Sequence, residues 1–412
     1  MGSLAKNQTV ETVIIGGGQA GLSISHFLQQ EHREHLILEK SSRPGNAWTE
    51  KRWDSFTLVT PNWAIRLPGA EYHGDEPDGF MPRDEVVRQI EDYVKSQNLP
   101  IHYGVEARSI TPTNNKYMIA TTDGNYFAKN VVIATGLFQQ AKVPAYSANL
   151  PEKFYQISSD AYRRPDTLPP GAVLVVGSGQ SGSQIAEELN DAGREVYLSV
   201  GSAGRIPRRY RGRDGFEWAD IIGFLDKTAD MLPSPSARFG GNPHITGKNG
   251  GHTINLHQFY CDGIHLLGHV SDILEGKVYF ESDLKESLAK ADKFEKEFLD
   301  LIDSAILQQG LSDPQEEYPV LIDGFSSPDI NSLEIKESGI KTVIWACGFR
   351  FNFGMVKLPV FDEFGFPITQ RGKTQSPGLY FLGMPFLHNA KSGILLGVGE
   401  DAAFIAKEIL SS

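Results

Sequence analysis

The stretch Thr12-Val13-Ile14-Ile15-Gly16-Gly17-Gly18-Gln19-Ala20-Gly21 is echoed by Val173-Leu174-Val175-Val176-Gly177-Ser178-Gly179-Gln180-Ser181-Gly182. In both, a run of β-branched and aliphatic residues enters a G-x-G-x-x-G turn and a helical pattern follows. The first glycine permits the turn, the second lets the backbone approach a pyrophosphate, and the third lets helix and strand pack closely. The diphosphate then lies over the free N–H groups of a helix N-terminus. One such match carries little weight in a chain with 42 glycines among 412 residues. Two, each set between a strand and a helix, point to two dinucleotide cradles and to electron transfer between their occupants. The candidate binding residues are Gly16, Gly18, Gln19, Ala20 and Gly21 in the first cradle. Those of the second are Gly177, Ser178, Gly179, Gln180, Ser181 and Gly182.

Outward from the first turn, His35 to Glu39 reads as a second strand. Glu39, with Lys40 beside it, falls roughly 20 residues after the third glycine, where a carboxylate accepts hydrogen bonds from an adenosine ribose. Arg43-Pro44-Gly45-Asn46-Ala47-Trp48 is a turn followed by a buried-looking aromatic, Trp48. Asp84 to Lys95 has helical spacing, and Ile101 to Phe127 alternates and turns like a β-meander. Val131 to Gly136 is an apolar strand that closes the first unit and ends in Thr135 and Gly136.

The second unit repeats strand, turn and helix (Gln180 to Ala192), then a strand from Glu195 to Val200. Its end carries no carboxylate, only Ser199-Val200-Gly201-Ser202. Downstream, Arg205 to Arg213 holds five arginines in nine positions. An acid would repel a 2′-phosphate and arginines bind one, so Arg205, Arg208 and Arg209 are expected to select NADPH over NADH. Phe239 to His257, rich in Gly, Asn and His, reads as a long loop against the active-site cleft. Leu284 to Gln309 reads as a packed surface helix. Lys341 to Gly348 repeats the pattern of Lys129 to Gly136, as if the chain completes the second unit and returns to the first. Leu379 to Gly383 is another buried strand, and a helix opens around Leu395 to Asp401 and runs to Leu410.

Composition narrows the class. A net charge of −12 argues against a general nucleic-acid binder. The two cysteines, Cys261 and Cys347, form no CxxC, so neither a disulfide framework nor the dithiol of a disulfide reductase is expected. Five histidines between His244 and His269 have spacings that fit no ligand pattern, and no metal is expected. The polar N-terminus and the lack of a long apolar run point to a cytoplasmic protein without a membrane partner.

Together, the N-terminal glycine motif with Glu39, Pro44-Gly45-Asn46-Ala47-Trp48, the Ala-Thr-Gly strand, the central glycine motif, Ala-Cys-Gly at Cys347 and the C-terminal Gly383 strand and helix resemble the flavin-containing monooxygenases. Arg52-Trp53-Asp54-Ser55, Arg205 to Asp214, Gly247 to Leu256 and Leu395 to Ala402 look most like a bacterial, single-component, uncharacterised branch. The resemblance covers nearly the whole chain. It implies an α/β fold of two Rossmann-like domains, FAD held in the first and NADPH in the second. The expected division is residues 1–165 for the FAD domain, 166–320 for an inserted NADPH domain, and 321–412 for the return to the first. It also implies reduction of FAD by NADPH, a C4a-peroxyflavin formed with O2, and transfer of one oxygen to nitrogen, sulfur or an activated carbon of a small organic substrate. Asn62, in Leu58-Val59-Thr60-Pro61-Asn62-Trp63, is the candidate for the asparagine that related enzymes place near the flavin. The family fingerprint FxGxxxHxxx(F/W) is not intact, with Ser158 at the histidine position, which speaks against a Baeyer–Villiger enzyme. The alternatives are an NADPH-dependent flavoprotein reductase or oxidase, and a redox-sensing scaffold without turnover. Trp63, Phe216, Trp218, His388 and Asn389 are candidate substrate-wall residues, and a homodimer is left open.

Overall fold

The computed structural model describes residues 7–136, 138–152 and 154–411. Strand β1 (Asn7–Ile15) runs into helix α1 (Gln19–Gln30) and strand β2 (His35–Glu39). Helix α2 (Arg83–Gln97) crosses to β3 (Ile101–Tyr103), and a meander β4 (Ala107–Thr113), β5 (Lys116–Thr121) and β6 (Gly124–Ile133) follows. These strands lie in the order β3-β2-β1-β6-β5-β4. The β1–β2, β1–β6 and β2–β3 pairings are parallel. β3 therefore belongs to the parallel core, not to the meander expected from Ile101 onward, because Ile37 to Glu39 offers its free edge to Ile101 to Tyr103. Central-strand residues such as Val13 and Ile14 are fully buried, as a parallel sheet covered on both faces requires.

The second unit has the same plan. Strand β7 (Tyr155–Ser158) precedes β8 (Ala172–Val176), helix α3 (Gln180–Asp191) and β9 (Val196–Ser199). Helices α4 (Gly215–Ile221) and α5 (Leu256–Cys261) lead to β10 (His265–Leu267). Strands β11 (Val270–Leu274), β12 (Lys277–Phe280) and β13 (Ser332–Glu334) form an antiparallel sheet, with helix α6 (Leu284–Gln309) between the last two. Strand β14 (Ile340–Trp345) closes the unit, and the parallel order is β7-β14-β8-β9-β10. The chain returns to the first unit with β15 (Leu379–Phe381), which pairs with β6, and helix α7 (Val398–Leu410).

The domain limits differ from those expected. β7 lies before residue 166 and β14 lies after residue 320, yet both pair within the second sheet. A parallel strand needs only an open edge and a crossover, so sequence position does not fix its sheet. The second unit therefore borrows its outer strand from upstream, as the first borrows β15 from downstream. One apolar cluster runs unbroken from Ile14, Leu22 and Ile37 to Val173, Ile185 and Leu198, welding the units together.

Candidate functional site

The two glycine turns share one geometry. Gly16 leaves β1 at φ +110°, and Gly177 leaves β8 at φ +101°. A Cβ on Gly16 would stand 2.7 Å from the Ala134 carbonyl oxygen, and one on Gly177 the same 2.7 Å from that of Ala346. A Cβ on Gly21 would stand 1.9 Å from Gly16 O, and one on Gly182 1.8 Å from Gly177 O. By contrast, Gly18 and Gly179 face nothing within 4 Å. Each is the N-cap of its helix and offers no side-chain cap, so the first-turn N–H groups of α1 and α3 keep their anion-binding capacity. The glutamine after each N-cap fastens a loop: Gln19 Nε2 donates to Gly393 O at 2.9 Å, and Gln180 Nε2 to Pro243 O at 2.7 Å.

Around the first cradle, Glu39 is buried at the end of β2. Its Oε2 accepts from Gly17 N at 2.6 Å, and its Oε1 from Ser41 N and Oγ at 2.8 and 2.7 Å. Lys40 is exposed beside it. Trp48 rides on a one-turn helix (Asn46–Thr49) anchored by Gly45 N to Gly17 O at 2.9 Å. The Arg52 guanidinium lies 5.6 Å from its ring. Gln139 Nε2 donates to Thr135 Oγ1 and to Gly136 O, shaping the turn after β6. Gly383, at φ +80°, crosses the start of α1 so closely that a Cβ would come within 2.4 Å of Ala20 Cβ. Thr135, Glu39 and Gly383 thus approach the first glycine turn at Gly16, Gly17 and Ala20.

The second cradle differs where β9 ends. Ile15 pairs with Leu38 and Val176 with Ser199, so Val200 occupies the place of Glu39. Val200 is fully buried and apolar. Ser178 takes over the local bonding: its Oγ accepts from Gly201 N at 2.9 Å, and its carbonyl accepts from His244 Nε2. Residues 239–257 are thus strapped to the cradle at Pro243 and His244. The same strap reaches the first unit, since a Cβ on Gly247 would stand 2.0 Å from Leu58 O.

Of the arginines expected to read a 2′-phosphate, Arg205 and Arg208 are buried against carboxylates, although Arg205 Nη1 has no hydrogen-bond partner. Arg205, 2% exposed, bonds Glu295 through two nitrogens at 2.8 and 2.7 Å and Asp292 at 2.7 Å, both on α6. Arg208 is buried against Asp214, donates to Val59 O at 2.8 Å and to Thr246 O, and stacks 4.6 Å over Phe80. It ties the second unit to the segment before Asn62. Arg209 is exposed and contacts Asp214 and Gly250 O. The physical reason is partner supply: carboxylates on α6 and Asp214, the N-cap of α4, reach the loop first, and a buried guanidinium without one would be costly.

Asn62 is buried, with Nδ2 donating to Glu76 O at 2.9 Å and Oδ1 without a hydrogen-bond partner. Its turn borders a seam between the units in which Val59, Trp63, Phe216, Ile394 and Leu396 share one apolar cluster. Trp63 and Phe216 lie 6.0 Å apart, whereas Trp218 is wholly buried behind them and donates to Tyr210 O. Asn389 bridges to Thr228, and His388 Nδ1 lies 3.7 Å from the buried Asp401.

The histidines separate. His252 meets Glu187, His257 meets Asp292, His265 meets Glu195 and His269 meets Asp283. Among the described residues no three metal-ligating side chains converge, and no helix is long and apolar enough to cross a membrane. His244 was missed as a cradle residue, since one histidine in a Gly/Asn-rich loop has no local signature. Burial lowers its pKa to about 4 from an ordinary 6.5. A histidine that is neutral when folded contributes fully above about pH 6.5, and this is lost as pH falls toward 4, about 3 kcal/mol in all. His252, raised by Glu187, acts in the opposite sense. Comparing wild type with His244→Gln therefore isolates the effect: between pH 7.5 and 4.5 the wild-type melting temperature should fall more steeply.

The pyridine nucleotide-disulphide oxidoreductase family profile matches residues 13–210. A protein of Geobacillus kaustophilus named as an uncharacterized CzcO-like oxidoreductase is 34% identical over 98% of this chain and 99% of its own length. Among solved structures, a flavin-containing monooxygenase from Stenotrophomonas maltophilia superposes with a TM-score of 0.65 at 19% identity, covering 98% of this chain and 99% of that one. A bacillithiol disulfide reductase from Staphylococcus aureus gives 0.62 at 17% identity, with the same coverage.

Proposed function

Because this chain belongs to the CzcO-like oxidoreductases and has the fold of flavin monooxygenases, we propose that it is an FAD- and NADPH-dependent monooxygenase of a small organic substrate. The observation that carries the reading is the paired cradle. Gly16 and Gly21, like Gly177 and Gly182, leave no room for a Cβ, while Gly18 and Gly179 open onto space before uncapped helix ends. Two dinucleotides fit these residues.

FAD would be held by α1's N-terminus, Glu39, Trp48, Thr135-Gly136 and Gly383. NADPH would be held by α3's N-terminus and the acid-free end of β9, where Val200 leaves a 2′-phosphate unrepelled. When bound, the pair supplies two-electron reduction of a flavin by a nicotinamide and activation of dioxygen. The chain's own contribution is positional. Glu39 offers carboxylate acceptors to ribose hydroxyls, and the helix dipoles oppose diphosphate charge. The apolar seam of Val59, Trp63, Phe216, Ile394 and Leu396 excludes water, which protects oxygen transfer from side reactions. Asn62 Oδ1, with no protein donor, keeps acceptor capacity for a donor brought by a ligand.

Holoprotein turned over with NADPH and oxygen-18 gas against amines, sulfides, ketones and aromatic acids is expected to yield a product carrying one labelled oxygen. Hydrogen peroxide matching NADPH consumption mole for mole across the panel would replace this reading with an oxidase. Protein that is colourless, and stays so after incubation with FAD, would remove both.

A further inference from the structure

With Arg205 and Arg208 committed to buried carboxylates, the 2′-phosphate needs another partner. The structure points to His269. β10 pairs with β9 from Tyr197 opposite His265 to Ser199 opposite Leu267, so His269 follows β10 beside the end of β9. In the first unit the chain crosses the carboxylate-bearing strand end at the corresponding place, with Val105 N bonding Glu39 O. The duplication therefore puts His269 next to the position that Glu39 fills in the first cradle and Val200 fills in the second.

The ring is aimed. Asp283 holds it at two points: Oδ1 accepts from His269 N at 3.0 Å and Oδ2 bonds Nδ1 at 2.5 Å. Gly268 makes that clamp feasible, since a Cβ there would stand 1.9 Å from Glu281 O and 2.7 Å from Asp283 Oδ1. With Nδ1 engaged, Nε2 faces Gly201, 3.9 Å from where a Cβ on that glycine would lie; Ser178 Oγ lies at the same distance. Gly201 is the first residue past Val200, and its missing side chain leaves the space before Nε2 open.

We propose that His269, oriented by Asp283, is the residue that binds the 2′-phosphate of NADPH. The bare backbone of Gly201 and the exposed Ser202 form the floor of that subsite. Where the first unit sets a carboxylate to accept from a 2′-hydroxyl, the second sets an imidazole whose Nε2 can donate to a phosphate, with Asp283 kept on the opposite, Nδ1 side of the ring. Asp283 is thus a positioning residue, while His269 touches the ligand.

This inference rests on the second cradle's being the NADPH site, and the test separates the two. Binding of 2′,5′-ADP and of ADP, which lacks the 2′-phosphate, is measured calorimetrically on FAD-loaded wild type, His269→Ala, Asp283→Asn and Arg209→Ala. Wild type should bind 2′,5′-ADP more tightly. His269→Ala should lose about tenfold for 2′,5′-ADP, with ADP affinity and melting temperature unmoved. Asp283→Asn should lose part of the same increment. His269→Gln, which keeps a side-chain N–H donor without the clamped ring, should fall between wild type and alanine. Equal 2′,5′-ADP affinity in wild type and His269→Ala overturns the inference and leaves the cradle standing. A loss confined to Arg209→Ala overturns it in favour of the arginine loop. Failure of wild type to bind either nucleotide overturns the cradle reading itself.

Discussion

Gly182→Ala is expected to purify yellow and saturated with FAD, yet to be reduced by NADPH at least about 100-fold more slowly than wild type. The new Cβ would stand 1.8 Å from Gly177 O. That oxygen is backbone, held in a turn at φ +101°, so no rotamer change relieves the contact and the start of α3 must move away from β8. Overpacking of this kind costs roughly 1–3 kcal/mol in stability. The dinucleotide loses more, because its diphosphate depends on N–H groups that have moved, and about 3 kcal/mol corresponds to a hundredfold. Gly21→Ala is the mirror experiment. Its Cβ would meet Gly16 O at 1.9 Å, and the protein should come off the column colourless. Gly179→Ala separates strain from occupancy: nothing lies within 4 Å of its Cβ, so melting should not change while NADPH affinity falls. Absorbance near 450 nm, anaerobic NADPH titration and reduction by dithionite as control decide these outcomes. A Gly182→Ala protein that bleaches with NADPH as fast as wild type would mean that the second cradle is not the nicotinamide site.

The glycines were legible because their constraint is local. A positive φ, a strand–helix contact and an open N-terminus all act within six residues, so the spacing carries the geometry. The same locality explains why Leu284 to Gln309 emerges with the limits its periodicity suggests. What sequence concealed was pairing across the fold. The five arginines between Arg205 and Arg213 look free when read along the chain, since Asp292, Glu295, Asp303 and Asp313 lie on or just beyond α6, far downstream in sequence. Glu295 in particular lies on the buried stripe of α6, between Ala291 and Phe298. The division of strands was concealed for a related reason. The echo at Lys341 to Gly348 announces the strand that completes the second unit, as β14 does, but nothing along the chain announces that β7, from upstream, takes its other edge. His244 leaves no pattern at all, because its role is set by the carbonyl of Ser178 that it reaches.

Arg205→Ala should destabilise the protein far more than it alters cofactor choice. The guanidinium is 2% exposed and Glu295 is 7% exposed, so removing the arginine leaves a carboxylate in the interior without its bidentate partner. Breaking a buried pair on one side costs about 3–5 kcal/mol, and the melting temperature should fall on the order of 10 °C. Asp292 suffers less, since His257 Nε2 still approaches it at 3.1 Å. Relieving the orphan should recover stability: Arg205→Met with Glu295→Leu is expected to melt well above Arg205→Ala, because two apolar groups of similar volume remove the charge along with its partner. Assayed well below its melting range, Arg205→Ala should retain FAD and change the NADPH-to-NADH ratio of kcat/KM by no more than about threefold, a shift below 1 kcal/mol. Were Arg205 a ligand of the 2′-phosphate, the pattern would invert, with KM for NADPH rising tenfold or more while melting barely moved and KM for NADH stayed put. The two expectations differ in sign on both axes, so one variant, melted and assayed with both nucleotides, decides whether this arginine holds the loop or the cofactor.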